Sequence, residues 1–221
     1  MNRTKIEWAD YTWNPLTGCS RRCVYCYAWR MAKRLRGRFG YSKDDPFKVS
    51  FHPERLHEPS QLKKPSKIFV CSMGELFDFK SKYGWIGLVF AVIKRNPQHI
   101  FIILTKRPDV LHQFSFPENV WLGVSVDRTQ LIDSINILAE TDAKVKFVSF
   151  EPLLERITPA LQGINWIIIG SQTGPRPFQP KAEWVDLLIK EARKQDCAVF
   201  LKNNLDYPEK IQEFPKFFGC D

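Results

Sequence analysis

Three cysteines within eight positions, Cys19, Cys23 and Cys26, are the residues whose type and spacing carry the most chemistry. They stand in Gly18-Cys19-Ser20-Arg21-Arg22-Cys23-Val24-Tyr25-Cys26-Tyr27, a Cys-x3-Cys-x2-Cys pattern that a tight loop can turn toward one centre. Four-iron clusters usually take four thiolates, so three would leave one iron open to a substrate or cofactor. A [4Fe-4S] cluster is the expected metal group. The competing reading is a zinc site completed by His52 or Cys71, in a zinc- or cluster-stabilised nucleic-acid-binding protein without catalysis. Zinc knuckles usually come in pairs and this chain has no second pair, which favours the cluster. A cluster-based electron carrier is disfavoured as well, since a carrier needs no open iron.

The other three cysteines are scattered. Cys71 lies in an apolar run, and strand alternation turns it away from the side that Ser72 faces, so it reads as a buried thiol rather than a hydrogen-atom donor. Cys197 and Cys220 read as structural. A secreted disulfide framework is shorter and richer in cysteine, so the pattern suits a reducing compartment and a cytoplasmic protein. The first residues lack a signal-peptide core. No run approaches the roughly 20 apolar residues of a membrane span.

Charge is uneven. The 221 residues carry a formal net charge of +9. Residues 1–110 hold 21 Lys/Arg against 9 Asp/Glu, and residues 111–221 hold 12 against 15. An anionic partner, a nucleic acid or a phosphorylated small molecule, is expected near the N-terminal half. Arg30, Lys33, Arg34, Arg36 and Arg38 follow the cysteines, and Tyr27, Trp29, Phe39 and Tyr41 lie among them as rings that can stack on bases.

The elements that must position these residues are legible from residue 67 onward. Near-continuous apolar runs at Lys67–Ser72, His99–Thr105, Val120–Val126, Val145–Phe150, Ile164–Gly170 and Ala198–Lys202 predict strands buried on both faces. Between them, Tyr83–Lys94, Gln130–Ala139 and Glu183–Gln195 predict helices, the last with Trp184, Leu187, Leu188 and Ala192 on one face. Strand–helix repetition predicts an α/β fold with parallel strands. Periodicity leaves both an open barrel and a doubly wound sheet standing. A single domain over 1–221 is expected, with an irregular insertion around 37–66 that contains Gly37, Gly40, Pro46, Pro53, Pro59 and Pro65.

The cysteine segment closely resembles the signature of the radical S-adenosylmethionine superfamily. Over most of its length the chain also resembles a family of uncharacterised phage and bacterial radical-enzyme-like proteins. That resemblance rests on Lys5-Ile6-Glu7-Trp8, Thr12-Trp13-Asn14-Pro15, Thr17-Gly18-Cys19, Ser72-Met73 with Leu76-Phe77, and Leu104-Thr105-Lys106-Arg107-Pro108. It continues through Trp121-Leu122-Gly123-Val124-Ser125, Phe150-Glu151-Pro152-Leu153-Leu154 and Gly174 to Pro177. Three places depart from the relatives. Many of them carry a longer gap between the first two cysteines, where Cys19 and Cys23 have the shorter, superfamily-typical one. Gly170-Ser171-Gln172-Thr173-Gly174 stands where they carry Gly-Gly-Glu-Ser-Gly, and Asn203-Asn204 replaces glutamine and tryptophan after Lys202.

The resemblance implies an incomplete (β/α)6 TIM-type barrel whose first strand lies near Tyr11–Leu16. It implies an enzyme that cleaves S-adenosylmethionine reductively to a 5′-deoxyadenosyl radical, with a reductant protein such as flavodoxin or ferredoxin. It assigns Cys19, Cys23 and Cys26 to the cluster and Tyr25 to the adenine. Barrel sites sit where strands end, which selects further cofactor contacts. Ser72, Gly74 and Glu75 would hold the methionine amino group, although Ser-x-x-Glu is also a helix-capping box. Lys106 and Arg107 would pair with a carboxylate or phosphate. Ser125 and Asp127 would contact the ribose, with helix capping as the other use of Asp127. Ser149 and Glu151 end another strand, and Glu151 is the expected contact there.

Overall fold

In a computed structural model, residues 1–174 and 177–216 are described. Cys220 and part of the Gly174 to Pro177 stretch lie outside them. The protein is mixed α/β, its strands run mostly parallel, and they fall into two compact units. No helix among the described residues is long and apolar enough to cross a membrane.

The first unit comprises Met1–Arg107 with Phe116–Val120. Its main strands are β1 (Asn2–Arg3), β2 (Tyr11–Trp13), β5 (Lys67–Val70) and β6 (Ile100–Thr105), hydrogen-bonded in that order. Between β2 and β5 in sequence, β3 (Leu16–Thr17) and β4 (Ser50–Phe51) form a separate antiparallel pair. β1 is antiparallel to β2; β2 runs parallel to β5 with Trp13 opposite Val70, and β5 runs parallel to β6 with Val70 opposite Ile103. The apolar runs KIFV and IFIILT form strands because both faces are covered. Two helices belong to this unit. α1 (Tyr27–Arg34) buries only Ala28 and Ala32, one turn apart. α2 (Tyr83–Arg95) buries Ile86, Val89, Phe90 and Ile93, a full apolar stripe. The last carbonyls around α2 are satisfied from outside the helix: Asn119 Nδ2 donates to Ile93, Asn96 and His99 oxygens at 3.0–3.1 Å.

The second unit comprises Pro108–Ser115 and the chain from Trp121 onward. β7 (Val120–Ser125, in this unit from Trp121), β8 (Val145–Phe150), β9 (Trp166–Ile169) and β10 (Ala198–Leu201) are all parallel. Trp166 is fully buried, with Trp121, Phe147 and Phe200 at ring separations of 5.4–6.0 Å. α3 (Asp133–Ala139) is shorter than the predicted 130–139 segment, because Thr129–Leu131 winds as a 3-10 turn first. α4 (Ala182–Lys194) buries Val185, Leu188 and Ala192, which corrects the expected face: Val185, not Trp184, continues the stripe inward.

Candidate active site around the cysteine loop

The loop that carries the three cysteines leaves β3 through Gly18, whose φ of +86° is open to glycine at little cost. Gly18 N–H donates to Met73 O at 2.9 Å, and Gly18 O accepts from Glu75 N–H at 3.0 Å, so Gly18 and Gly74 face each other through main chain. A Cβ on Gly18 would lie 2.1 Å from Lys48 O, and one on Gly74 would lie 2.7 Å from Gly18 O. Neither position has room for a side chain.

Asp78 fixes the next step. Its buried carboxylate accepts from Ser20 N–H at 2.7 Å and Ser20 Oγ–H at 2.9 Å, and from Lys80 N–H at 3.0 Å. The backbone then turns through Arg22 at φ +49° and enters α1 with Cys26 as its cap. Two sulfurs already accept main-chain hydrogen bonds. Arg21 N–H donates to Cys19 Sγ at 3.4 Å, and Trp29 N–H donates to Cys26 Sγ at 3.4 Å. Both cysteines pack against a small apolar cluster of Ala28, Ala32, Tyr41 and Phe47. Burial therefore pushes the Cys19 thiol up to about 11, against the pull of the Arg21 N–H. Cys26 is raised for the same first reason, against the Trp29 N–H. Among the described residues, no three His, Cys, Asp or Glu side chains stand together as a ready metal-binding set. What groups the three thiols is their loop.

Several expected residues gather at the same strand ends. Glu75 is buried between the loop after β5 and the end of β6. Its Oε1 accepts from Thr105 Oγ1–H at 2.7 Å and Phe77 N–H at 3.1 Å, and its Oε2 accepts from Lys106 N–H at 3.0 Å. Burial raises its carboxyl, and these three donors oppose that rise. The Lys106 ammonium lies 5.5 Å from the Tyr25 ring centre. Burial lowers it to about 8, while the nearby Cys23, Glu75 and Cys26 pull the other way. Arg21 Nη1 donates to Lys106 O at 3.0 Å, tying the cysteine loop to the end of β6.

The capping-box use of Ser72 and Glu75 is corrected: residues 72–75 open no helix, and α2 starts only at Tyr83. Ser72 Oγ donates instead to Asn14 Oδ1 at 3.2 Å, and Ser72 O accepts from the Tyr27 hydroxyl. Capping by Asp127 is corrected too, since the turn at Thr129–Leu131 has no side-chain cap. His52 and Cys71 are engaged elsewhere. His52 Nε2 lies 2.8 Å from Thr17 Oγ1, and Cys71 is a buried thiol pushed up to about 12 by desolvation. Cys197 is buried likewise.

In the second unit, Ser125 lies opposite Ser149 in the β7–β8 register. Both are buried, and the Ser149 hydroxyl has no hydrogen-bond partner among the described residues. Asp127 is buried with Arg128 Nε at 3.1 Å. Glu151 pairs with Lys202 at the ends of β8 and β10. A Cβ on Gly170 would come within 3.1 Å of both stems, so the pair spans a bare strand end.

Sequence reasoning missed Asp78, Asn14, Thr105 and Lys202. Lys202 ends a predicted strand and could have been found by that rule. Asp78 and Asn14 act through distant partners, 58 and 59 residues away, which no local pattern displays.

A family model described as protein of unknown function (DUF5131) matches residues 3–215. No curated protein and no solved structure matches the chain.

Proposed function

We propose, from the premise that the chain belongs to the DUF5131 family of proteins of unknown function, that it is a radical S-adenosylmethionine enzyme acting on an anionic substrate. The observation that carries this reading is the Cys-x3-Cys-x2-Cys loop with two of its sulfurs already accepting main-chain N–H bonds. Such bonds favour thiolate over thiol and are one of the means by which proteins tune iron–sulfur groups. The chemistry of the donors, three soft sulfurs on one loop with an apolar wall and a cation close by, suits a [4Fe-4S] cluster once the thiols turn toward one centre. A cluster held there by Cys19, Cys23 and Cys26 would supply one electron to break a carbon–sulfur bond of S-adenosylmethionine, leaving methionine and a 5′-deoxyadenosyl radical.

The chain's own residues do the rest. Asp78 and the Gly18–Gly74 contact hold the loop still. Lys106 offsets the negative charge that three thiolates bring to one place. Glu75 Oε2 accepts from Lys106 N–H, and a carboxylate oxygen has a second lone pair that suits the methionine ammonium of the cofactor. Tyr25, beneath the Lys106 ammonium, offers a ring face to a heterocycle. The parallel strands agree with an incomplete (β/α)6 barrel, which belongs to the same proposal, as does a flavodoxin- or ferredoxin-like reductant.

Anaerobic reconstitution with iron and sulfide tests this. About four irons per chain are expected, with 5′-deoxyadenosine formed when dithionite and S-adenosylmethionine are added. Stoichiometric zinc without iron, or an intact cluster that never cleaves the cofactor, removes the reading.

A further inference from the structure

We propose that the basic, ring-studded surface around the cysteine loop binds single-stranded nucleic acid, which names the substrate class of the site and rests on the preceding reading for that link alone. Between Asp10 and Asp44 the chain contains no acid and eight cations, six of them arginine. Arg21, Arg22, Lys33, Arg34, Arg36, Arg38 and Lys43 are all exposed. A solvated face usually interleaves both signs; here a continuous stretch of chain carries a single sign, with Arg22 paired to Asp45 at 2.6 Å at its edge. Arginine suits phosphate in particular, because its planar fork can give two parallel N–H bonds to one phosphate.

Charge alone would serve any polyanion. The rings narrow the choice. Phe39 is 71% exposed and Phe79 is 68% exposed, each beside a cation in the chain. Lys80 Nζ lies 5.6 Å from the Phe79 ring centre. Phe39 also holds φ at +52°, between Gly37 and Gly40 at +71° and +82°, a conformation in which a bulky residue is an outlier. The turn thus pays in backbone strain to hold a phenyl ring in water, and strain of this kind concentrates at functional positions. Both rings sit on segments anchored to the cysteine loop: Phe39 follows α1, and Phe79 adjoins Asp78, which grips Ser20. Unpaired bases present faces that such rings can stack on, while a duplex keeps those faces internal.

The probe is a fluorescein-labelled single strand of about 20 nucleotides, DNA or RNA, followed by anisotropy with the full chain. Binding is expected, with log K falling as log salt rises. Phe39→Ala and Phe79→Ala should each weaken it roughly tenfold, with unchanged melting, since both rings are exposed. Arg34→Ala with Arg36→Ala should reduce the salt slope by about 1.4. No binding overturns the proposal. So does wild-type affinity in both phenylalanine variants, or equal affinity for a duplex or heparin, because either outcome leaves only charge. Cofactor cleavage without strand binding defeats this inference and spares the preceding one. Strand binding without iron defeats the preceding one and retains this surface.

Discussion

Asp78 shows how much of the site depends on one residue that performs no chemistry. Its carboxylate satisfies two donors of Ser20 and one of Lys80, and it is itself buried. Asp78→Ala would leave those amides short of partners at a cost of about 1–3 kcal/mol. The loop between Cys19 and Cys23 would loosen with it. The expected result is a lower melting temperature together with iron lost on gel filtration of the reconstituted protein. Retention of iron at the wild-type level would show that the thiols need no such anchor. A second residue-scale test lies in the other unit. Glu213 receives both arms of Arg193 at 2.7 and 2.8 Å, and that pairing holds its carboxyl below the ordinary value of 4.5. A depressed carboxyl stabilises the fold above its unfolded range and loses that contribution as pH falls through its folded value. Glu213→Gln should therefore lower the melting temperature near neutral pH, with the difference shrinking in acid. An equal difference at both ends would mean that the charge is irrelevant.

At the scale of elements, Gly123 in the middle of β7 marks where strand packing leaves no slack. A Cβ there would meet the buried Phe147 ring at 2.3–2.5 Å. Gly123→Ala should cost about 1–3 kcal/mol by overpacking, read as a lowered denaturation midpoint. The strands from residue 67 onward were legible because burial on both faces writes itself as an apolar run. Val145–Phe150 is observed as expected, and the others shift by a residue or two at their ends. The earlier elements were not legible from pattern. β2 has three residues and is followed by Pro15 two positions on, and β3 and β4 have two each. Such pieces are too short for any period to register; resemblance alone pointed to Tyr11–Leu16. α1 was hidden for another reason, since Ala28 and Ala32 are its entire buried stripe.

For the molecule as a whole, the cores explain why the proposed cluster should be dispensable for folding. Trp13, Phe101 and Ile102 in the first unit, and Phe147, Trp166 and Phe200 in the second, are buried without any help from Cys19, Cys23 or Cys26. Stripping iron with a chelator, or replacing Cys23 by alanine, should leave the far-ultraviolet circular dichroism unchanged while abolishing 5′-deoxyadenosine formation. Collapse of the spectrum would make the cluster a folding staple instead. The charge asymmetry was visible in the sequence and needed only counting. The cations that follow the cysteines were visible there too; what stayed hidden is that Phe79 and Lys80 join the same loop, because that depends on the contact of Ser20 with Asp78 across 58 residues of chain.

The meeting of Gly18 with Gly74 has an evolutionary corollary. Every other amino acid carries the one carbon that neither position can accept, so each non-silent point change in either codon yields a protein that must distort. Both codons are thus locked by geometry alone. Descendants of this gene would keep the two residues even if the neighbouring thiols fell out of use, and their persistence would testify to the turn rather than to any reaction.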